Sequence, residues 1–263
     1  MVKINTISTD VITQLTKMAE IQQESIEQLV SLYCQERFLY RLSTSPYNEQ
    51  FYIEGDLLSF ILTKEAEKPP KEMTLTAQQS AYQNDIVKQA FTEICSIAVP
   101  EDGVRFLEDG IESTITNANI LLKIPAALAE ITTYIEIKIT FEENRVSPKT
   151  ITFPTLLDLK SAMLYTYPTE YVVALSLIDM YQYPANTSKE LLDVERLLQT
   201  QNLEGRDLQA YFEELFDRHR LTFEANPPLE KGLLKQFLSP VYEVILAEEE
   251  FFKQWNCEKR AWQ

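Results

Sequence analysis

The chain has 263 residues, 45% of them hydrophobic, so it is long enough to bury one large core or two moderate ones. Its formal net charge of −16 disfavours non-specific binding to the phosphate backbones of nucleic acids. No apolar run reaches the roughly 18 residues of a membrane span, and the first residues lack the pattern of a secretion signal. We therefore expect a cytoplasmic protein that does not interact with membranes.

Residue types that commonly bind zinc or form disulfides are scattered along the chain. Cys34, Cys95 and Cys257 are far apart and form no CxxC pair, so the sequence predicts neither a zinc site nor a disulfide framework. The single histidine, His219, lies among charged residues and is interpreted as a helix-surface residue.

The first hundred residues mix helical and strand patterns. Apolar residues recur at helical spacing from Thr9 to Leu42, which predicts one long helix or two shorter ones. After a turn, "FYI" is a short strand candidate, and Gly55 precedes "DLLSFIL", which is either a helix start or an extension of that strand. The alternation in "MTLTA" (73–77) predicts a second strand, and residues 84–97 an amphipathic helix.

Between Val104 and Phe153 the chain is rich in β-branched and aromatic residues, which predicts several strands. The most regular is "YIEIKITF", where the polar residues share one face and the apolar residues share the other. The polar residues of this strand are Tyr134, Glu136, Lys138 and Thr140. After "PTLLDL" the pattern is helical to the end of the chain, with helices predicted over 168–181, 188–201, 206–219 and 231–255.

Four strings occur in an order more specific than composition: "ERFLYRLSTSPYNEQFYIEGDLL", "NDIVKQAFTEICSIAVPEDGVRF", "FPTLLD" and "YPTEYVVALSLIDM". Together they resemble the nucleotidyltransferase-like toxins of AbiEii/AbiGii type, known from abortive-infection and toxin–antitoxin systems. The resemblance covers about Glu36 to Leu198. It implies an α+β fold, with a nucleotidyltransferase-like mixed sheet flanked by helices (residues 1–165) followed by an all-helical C-terminal domain (166–263).

The resemblance also implies a site in which carboxylates on adjacent strands hold Mg²⁺ and a nucleoside triphosphate. Members of the family have K-G-G where this chain has "EGD". Gly55 matches the first glycine, Glu54 replaces the lysine and Asp56 replaces the second glycine. Both replacements add negative charge where a triphosphate would bind.

The metal-binding motifs are also substituted. The second family motif is a strand of the form D-I-D-F or D-I-D-L, whose two aspartates bind metal. Counted forward without gaps from "EGDLL", these aspartates fall on Glu72 and Thr74; a register shifted by two places them on Thr74 and Thr76. In the third motif Lys138 takes the aspartate position, where a positive charge repels a metal ion, and Glu143 falls on the later acidic position.

The fourth region of the family pattern has also lost positive charges that would bind a triphosphate. Ser176 stands at a lysine position, and Thr187 replaces an arginine. The following helix retains Lys189 and Asp193, and Glu190 replaces an aspartate. With Gly55 and Asp56, these three helix residues mark a possible remnant of a nucleotide pocket.

Three functional hypotheses follow. In the first, the chain is a phage-defence or toxin–antitoxin protein that keeps the fold, has lost catalysis, and acts by binding or regulation. In the second, it is an active Mg²⁺-dependent nucleotidyltransferase toxin that uses substituted or relocated carboxylates, with Glu72, Glu136 and Glu143 as candidates. In the third, it is an unrelated α/β interaction module.

These hypotheses differ in cofactor and partner. We predict no metal and no cofactor, and expect Mg²⁺ and a nucleoside triphosphate only if the second hypothesis holds. The family resemblance alone suggests a cognate antitoxin or toxin protein as partner.

Overall fold

The structure is a computed structural model, and it describes residues 2–63, 70–78, 84–116, 118–141, 146–183, 187–221 and 233–263. The chain forms two compact units. The first comprises Met1–Ile61 and Glu67–Thr166, and the second Leu62–Ala66 and Tyr167–Gln263.

Helices and strands alternate in the first half of the chain, whereas helices dominate the second half. In chain order the helices of the described residues are α1 (Val2–Gln22), α2 (Ile26–Thr44), α3 (Gly55–Thr63), α4 (Asn84–Ser96), α5 (Thr169–Gln182), α6 (Thr187–Thr200), α7 (Gly205–His219) and α8 (Leu233–Ile245). The strands are β1 (Phe51–Glu54), β2 (Glu72–Ala77), β3 (Val104–Phe106), β4 (Glu112–Ile115), β5 (Ile120–Leu128), β6 (Ile131–Phe141), β7 (Lys149–Thr152), β8 (Met163–Thr166), β9 (Leu203–Glu204), β10 (Gln254–Asn256) and β11 (Ala261–Trp262).

A mixed sheet of eight strands, counted in the described residues, forms the centre of the first unit. Its order is β3-β5-β6-β2-β1-β8-β7, and β4 also pairs with β5. The β2–β6 and β1–β8 pairs are parallel, and the other pairs are antiparallel. The predicted mixed sheet flanked by helices is therefore confirmed.

The apolar face of this sheet builds the core of the first unit. Ile135, Ile137 and Ile139 of β6 are buried, as the alternation predicted. Helix α2 lies against β5, β6 and β8 and packs on α1 and α4. The long N-terminal helical pattern is two helices, because the chain turns at residues 23–25 and Ser25 caps α2, with its hydroxyl accepting from the Gln28 amide at 3.5 Å.

Buried charges lie inside this core. Asp102 is fully buried, and its two carboxylate oxygens accept from Arg41 Nη1 at 2.6 Å and Nη2 at 3.2 Å. Arg37 Nε lies 3.5 Å from Asp102 Oδ2, and Arg37 also bonds Glu36 at 3.0 Å and the Lys160 carbonyl. The bonds to Asp102 and to the Lys160 carbonyl join α2 to segments more than 60 residues away in sequence.

The second unit packs α5 against α6 and α7, and α8 against α6 and α7. It also contains a three-stranded antiparallel sheet in the order β11-β10-β9, which the helical pattern did not predict. Trp255 on β10 is buried and donates from Nε1 to the Leu198 carbonyl at 2.7 Å. No helix of the described residues has the length and apolar content needed to cross a bilayer.

The prediction of one helix over residues 231–255 is wrong at its C-terminal end. Helix α8 ends at Ile245, and β10 begins at Gln254. Three consecutive acidic residues, 248–250, follow the helix, and negative charge is unfavourable at a helix C-terminus. The aromatic residues beyond them pack on one another instead, with Phe251 and Trp255 both against Trp262.

Candidate functional site

The candidate site lies in the first unit, where β1 passes directly into α3. Gly55 is the first residue of α3 and has φ +60, a left-handed conformation that L side chains rarely adopt. A Cβ added here would lie 3.7 Å from Thr74 Cβ and Oγ1, which is ordinary van der Waals contact. The backbone turn, and not a lack of space, therefore favours glycine at this position.

Three strands place the substituted motif residues in one row across the sheet. Glu54 on β1 is opposite Thr74 on β2, and Thr74 is opposite Lys138 on β6. Neighbouring rows pair Glu72 with Glu136 and Thr76 with Thr140. Opposite residues of neighbouring strands project to the same side, so these seven residues form one surface, which we call the polar face.

A chain of hydroxyl groups fixes the Glu54 carboxylate on the polar face. Thr140 Oγ1 donates to Glu54 Oε1 at 2.9 Å, and the Thr76 and Thr140 hydroxyl oxygens are 3.0 Å apart. When Thr140 donates its only hydroxyl proton to Glu54, Thr76 is the donor to Thr140. Thr76 is 1% exposed, so the chain is anchored in the sheet.

The carboxylates of Glu72 and Glu136 are exposed at the other end of the polar face. Their strands are parallel neighbours, and the two residues are direct register partners. Glu136 is also opposite Lys123 on β5, and the Lys123 ammonium lies over the Tyr134 ring at 4.3 Å from its centroid. The structure thus brings together two of the three relocated carboxylate candidates, and Glu143 lies outside the described residues.

Asp56 has a local structural role. It occupies the first turn of α3, where a carboxylate is favourable because backbone N–H groups and the helix dipole give that end a partial positive charge. A carboxylate that stabilises a helix start also repels a phosphate brought to the same end.

The centre of the polar face differs from the oxygen-rich, negatively charged donor set that Mg²⁺ prefers. Within the described ranges, no three side chains of the types His, Cys, Asp and Glu converge as metal ligands do. At the centre of the polar face Thr74 offers a neutral hydroxyl, and Lys138 offers a cation in place of a ligand.

The remaining predicted site residues belong to the second unit. Ser176, on α5, donates its hydroxyl to the Val172 carbonyl of its own helix at 3.0 Å. On α6, Lys189 is exposed and Glu190 is half-buried. Asp193 lies 3.7 Å from Arg196 one turn later, a helix-surface ion pair.

Sequence reasoning missed the bonds of Glu54 and the buried Asp102 network. The hydroxyl-rich strand ends "TLT" and "KIT" were visible as alternating patterns. The link from Glu54 to Thr140 spans 86 residues and depends on β2 lying between their strands, which no local pattern indicates.

A family model, described as nucleotidyl transferase AbiEii toxin of type IV toxin–antitoxin systems, matches residues 37–256, most of the chain. Among curated proteins, none matches. Two solved structures are remotely similar: JHP933 from Helicobacter pylori (10% identity, 80% of this chain and 85% of that chain, TM-score 0.37), and a Helicobacter pylori protein provisionally described as a nucleotidyltransferase (12% identity, 84% and 93%, TM-score 0.34).

Both TM-scores are low, and the family assignment rests on the family model. The match confirms the predicted resemblance and overturns the hypothesis of an unrelated α/β interaction module. The chain belongs to the AbiEii family of nucleotidyltransferase toxins of type IV toxin–antitoxin systems.

Proposed function

We propose that this chain has lost metal-dependent nucleotidyl transfer and acts by binding or regulation in a toxin–antitoxin or phage-defence system. The observation that carries the proposal is the row Glu54, Thr74 and Lys138 on three adjacent strands. In the family pattern the matching positions hold a lysine and two aspartates. Here a carboxylate stands where the phosphate-binding cation belongs, and a cation stands where a metal ligand belongs.

The electrostatics of the row support loss of transfer. A divalent ion is attracted by carboxylates and repelled by an ammonium group, and Lys138 is only half-exposed, so solvent screens it less than a fully exposed lysine. A triphosphate is repelled by Glu54, and Asp56 adds to this repulsion. Binding of the divalent metal ion and binding of the triphosphate are therefore both disfavoured at this row of residues.

We also propose a domain division, a type of partner and a cellular location for this chain. The nucleotidyltransferase-like domain comprises residues 1–165 and the helical domain 166–263; the two compact units support this division. The type IV toxin–antitoxin family supports a cognate antitoxin or toxin protein as the partner. The cytoplasm is the proposed location, and the net charge of −16 disfavours non-specific nucleic-acid binding.

An incorporation assay tests this proposal. Purified protein is incubated with Mg²⁺ and each of the four nucleoside triphosphates labelled at the α-phosphate, with bulk tRNA and with any co-purified protein present. We expect no label in the chain, the RNA or the partner. A family member with the unsubstituted acidic motifs serves as the positive control.

A second candidate function is transfer through relocated carboxylates. It is favoured by Glu72 and Glu136, which are exposed register partners on adjacent parallel strands and so place two carboxylates side by side. Robust incorporation that is abolished by Glu72→Gln or Glu136→Gln, and retained by Glu112→Gln, would establish this candidate and overturn the first. Glu143→Gln is the corresponding test of the third predicted carboxylate.

A further inference from the structure

We propose that Glu54 excludes polyphosphate from the turn at Gly55, because its anchored carboxylate occupies the space over β2 that a bound phosphate would need. This inference rests on the proposed loss of nucleotidyl transfer. In it, Glu54 is the residue that prevents polyphosphate from binding, and this binding is measured separately from catalysis.

The path of the Glu54 side chain follows from the strand order. Glu54 lies on β1 and its partner Thr140 on β6, with β2 between them. Adjacent strands are about 4.8 Å apart, so the Glu54 side chain spans roughly 9.6 Å together with the threonine. Since Glu54 is aligned with Thr74 and Thr140 with Thr76, the carboxylate crosses β2 between Thr74 and Thr76.

Gly55 borders the same space. The direction in which its Cβ would project leads to Thr74, at 3.7 Å from both Cβ and Oγ1. A phosphate that approaches the glycine turn from this side meets Thr74 and the Glu54 carboxylate over β2. The internal anion and the external anion therefore compete for one place.

The hydroxyl chain holds this charge in position. Glu54 accepts from Thr140 at 2.9 Å, and Thr140 is in contact with the buried Thr76 at 3.0 Å. A carboxylate without such bonds rotates into solvent when an anion approaches, at little cost. Glu72 is in that situation: it is exposed and makes no side-chain hydrogen bond to another described residue.

The contrast between Glu54 and Glu72 provides a matched pair of variants. Glu54→Gln keeps the shape and an acceptor for Thr140 but removes the charge, and Glu72→Gln removes one charge from the same polar face. Affinities for inorganic tripolyphosphate and for ATP are measured by calorimetry, each with Mg²⁺ and with EDTA. Far-UV circular dichroism and thermal unfolding establish that both variants keep the fold.

We expect Glu54→Gln to bind tripolyphosphate at least about tenfold more tightly than the wild type, with or without Mg²⁺, because repulsion between close charges is removed. For Glu72→Gln we expect a change within about twofold, as for other exposed charges. Unchanged affinity in Glu54→Gln, an equal gain in Glu72→Gln, or tight binding by the wild type overturns the inference.

The two proposals fail in different experiments. Label incorporation by the wild type refutes the loss of transfer, whatever the calorimetry shows. A flat calorimetric series refutes the role of Glu54 and leaves the loss of transfer standing.

Discussion

Removing the Asp102 carboxylate is the most severe single test of the core of the first unit. Asp102 is fully buried and receives two bonds from Arg41, at 2.6 and 3.2 Å, and one from the Val104 amide at 2.9 Å. Asp102→Ala leaves the buried Arg41 guanidinium without its counter-ion. Breaking a buried pair in this way costs about 3–5 kcal/mol, a large share of the roughly 5–15 kcal/mol that stabilises a domain.

The assay must report on the first unit. Both tryptophans, Trp255 and Trp262, belong to the second unit, so tryptophan fluorescence does not follow the unfolding of the first directly. Urea unfolding monitored by far-UV circular dichroism, combined with hydrogen exchange of peptides from α2, measures the loss where it occurs. Helix α2 should lose most of its protection from hydrogen exchange, because Arg41 lies on this helix.

Two further variants make the result interpretable. Asp102→Asn keeps the shape but also removes the counter-ion of Arg41, and its amide N–H faces a donor, so we expect a similar loss of about 3–5 kcal/mol. Glu101→Ala changes the exposed neighbouring carboxylate and should stay within about 0.5 kcal/mol of the wild type. A loss below about 1 kcal/mol for Asp102→Ala, with α2 protection unchanged, would show that the Arg41–Asp102 pair does not stabilise this core.

Three other predictions concern the turn, the thiols and pH. Gly55→Ala should lower the free energy of unfolding in urea by about 1–2 kcal/mol, since φ is +60; an unchanged value contradicts this. Burial raises the pKa of the Cys34 and Cys95 thiols to about 12, so Ellman's reagent at pH 8 should titrate only Cys257 in native protein and all three thiols in urea. Burial raises the pKa of Glu36, so the folded state binds its proton more tightly. Its stabilising contribution is present below about pH 4.5 and lost as the pH rises through the folded pKa; Glu36→Gln should remove this loss from melting temperatures measured between pH 4 and 7.

The sequence was most informative where a local pattern determined the local structure. Alternation in β6 predicted the buried isoleucines, because a strand between a core and a polar surface must alternate. Helical spacing predicted α4 to α7 closely. The segment after Gly55 was ambiguous because a short, largely apolar segment such as "DLLSFIL" suits both a helix and a buried strand; it forms α3.

Long-range pairings were not predictable from the residues alone. Glu36, Arg37 and Arg41 resemble a charged helix face, yet all three are buried. Their partners come from distant segments: Asp102 and the Lys160 carbonyl for the arginines, and the Leu156 amide for Glu36. A charge on a helix is costly inside a core unless it is paired, and its partner need not be near in sequence. The Glu54 bond to Thr140 was invisible for the same reason.

Two carboxylates, Glu54 and Asp56, flank Gly55, and they differ in the structural reason for their presence. Asp56 alone is explained by helix stability, since a carboxylate in the first turn of α3 is favourable whether or not a ligand binds. Glu54 lies at the end of β1, directly before α3, and its side chain crosses β2 to a hydroxyl on β6. Holding a charge there orders a flexible side chain and draws two threonine hydroxyls into its support. A carboxylate bound in this way acts on whatever approaches the Gly55 turn, and this is why Glu54, and not Asp56, is the residue whose charge we expect to determine binding.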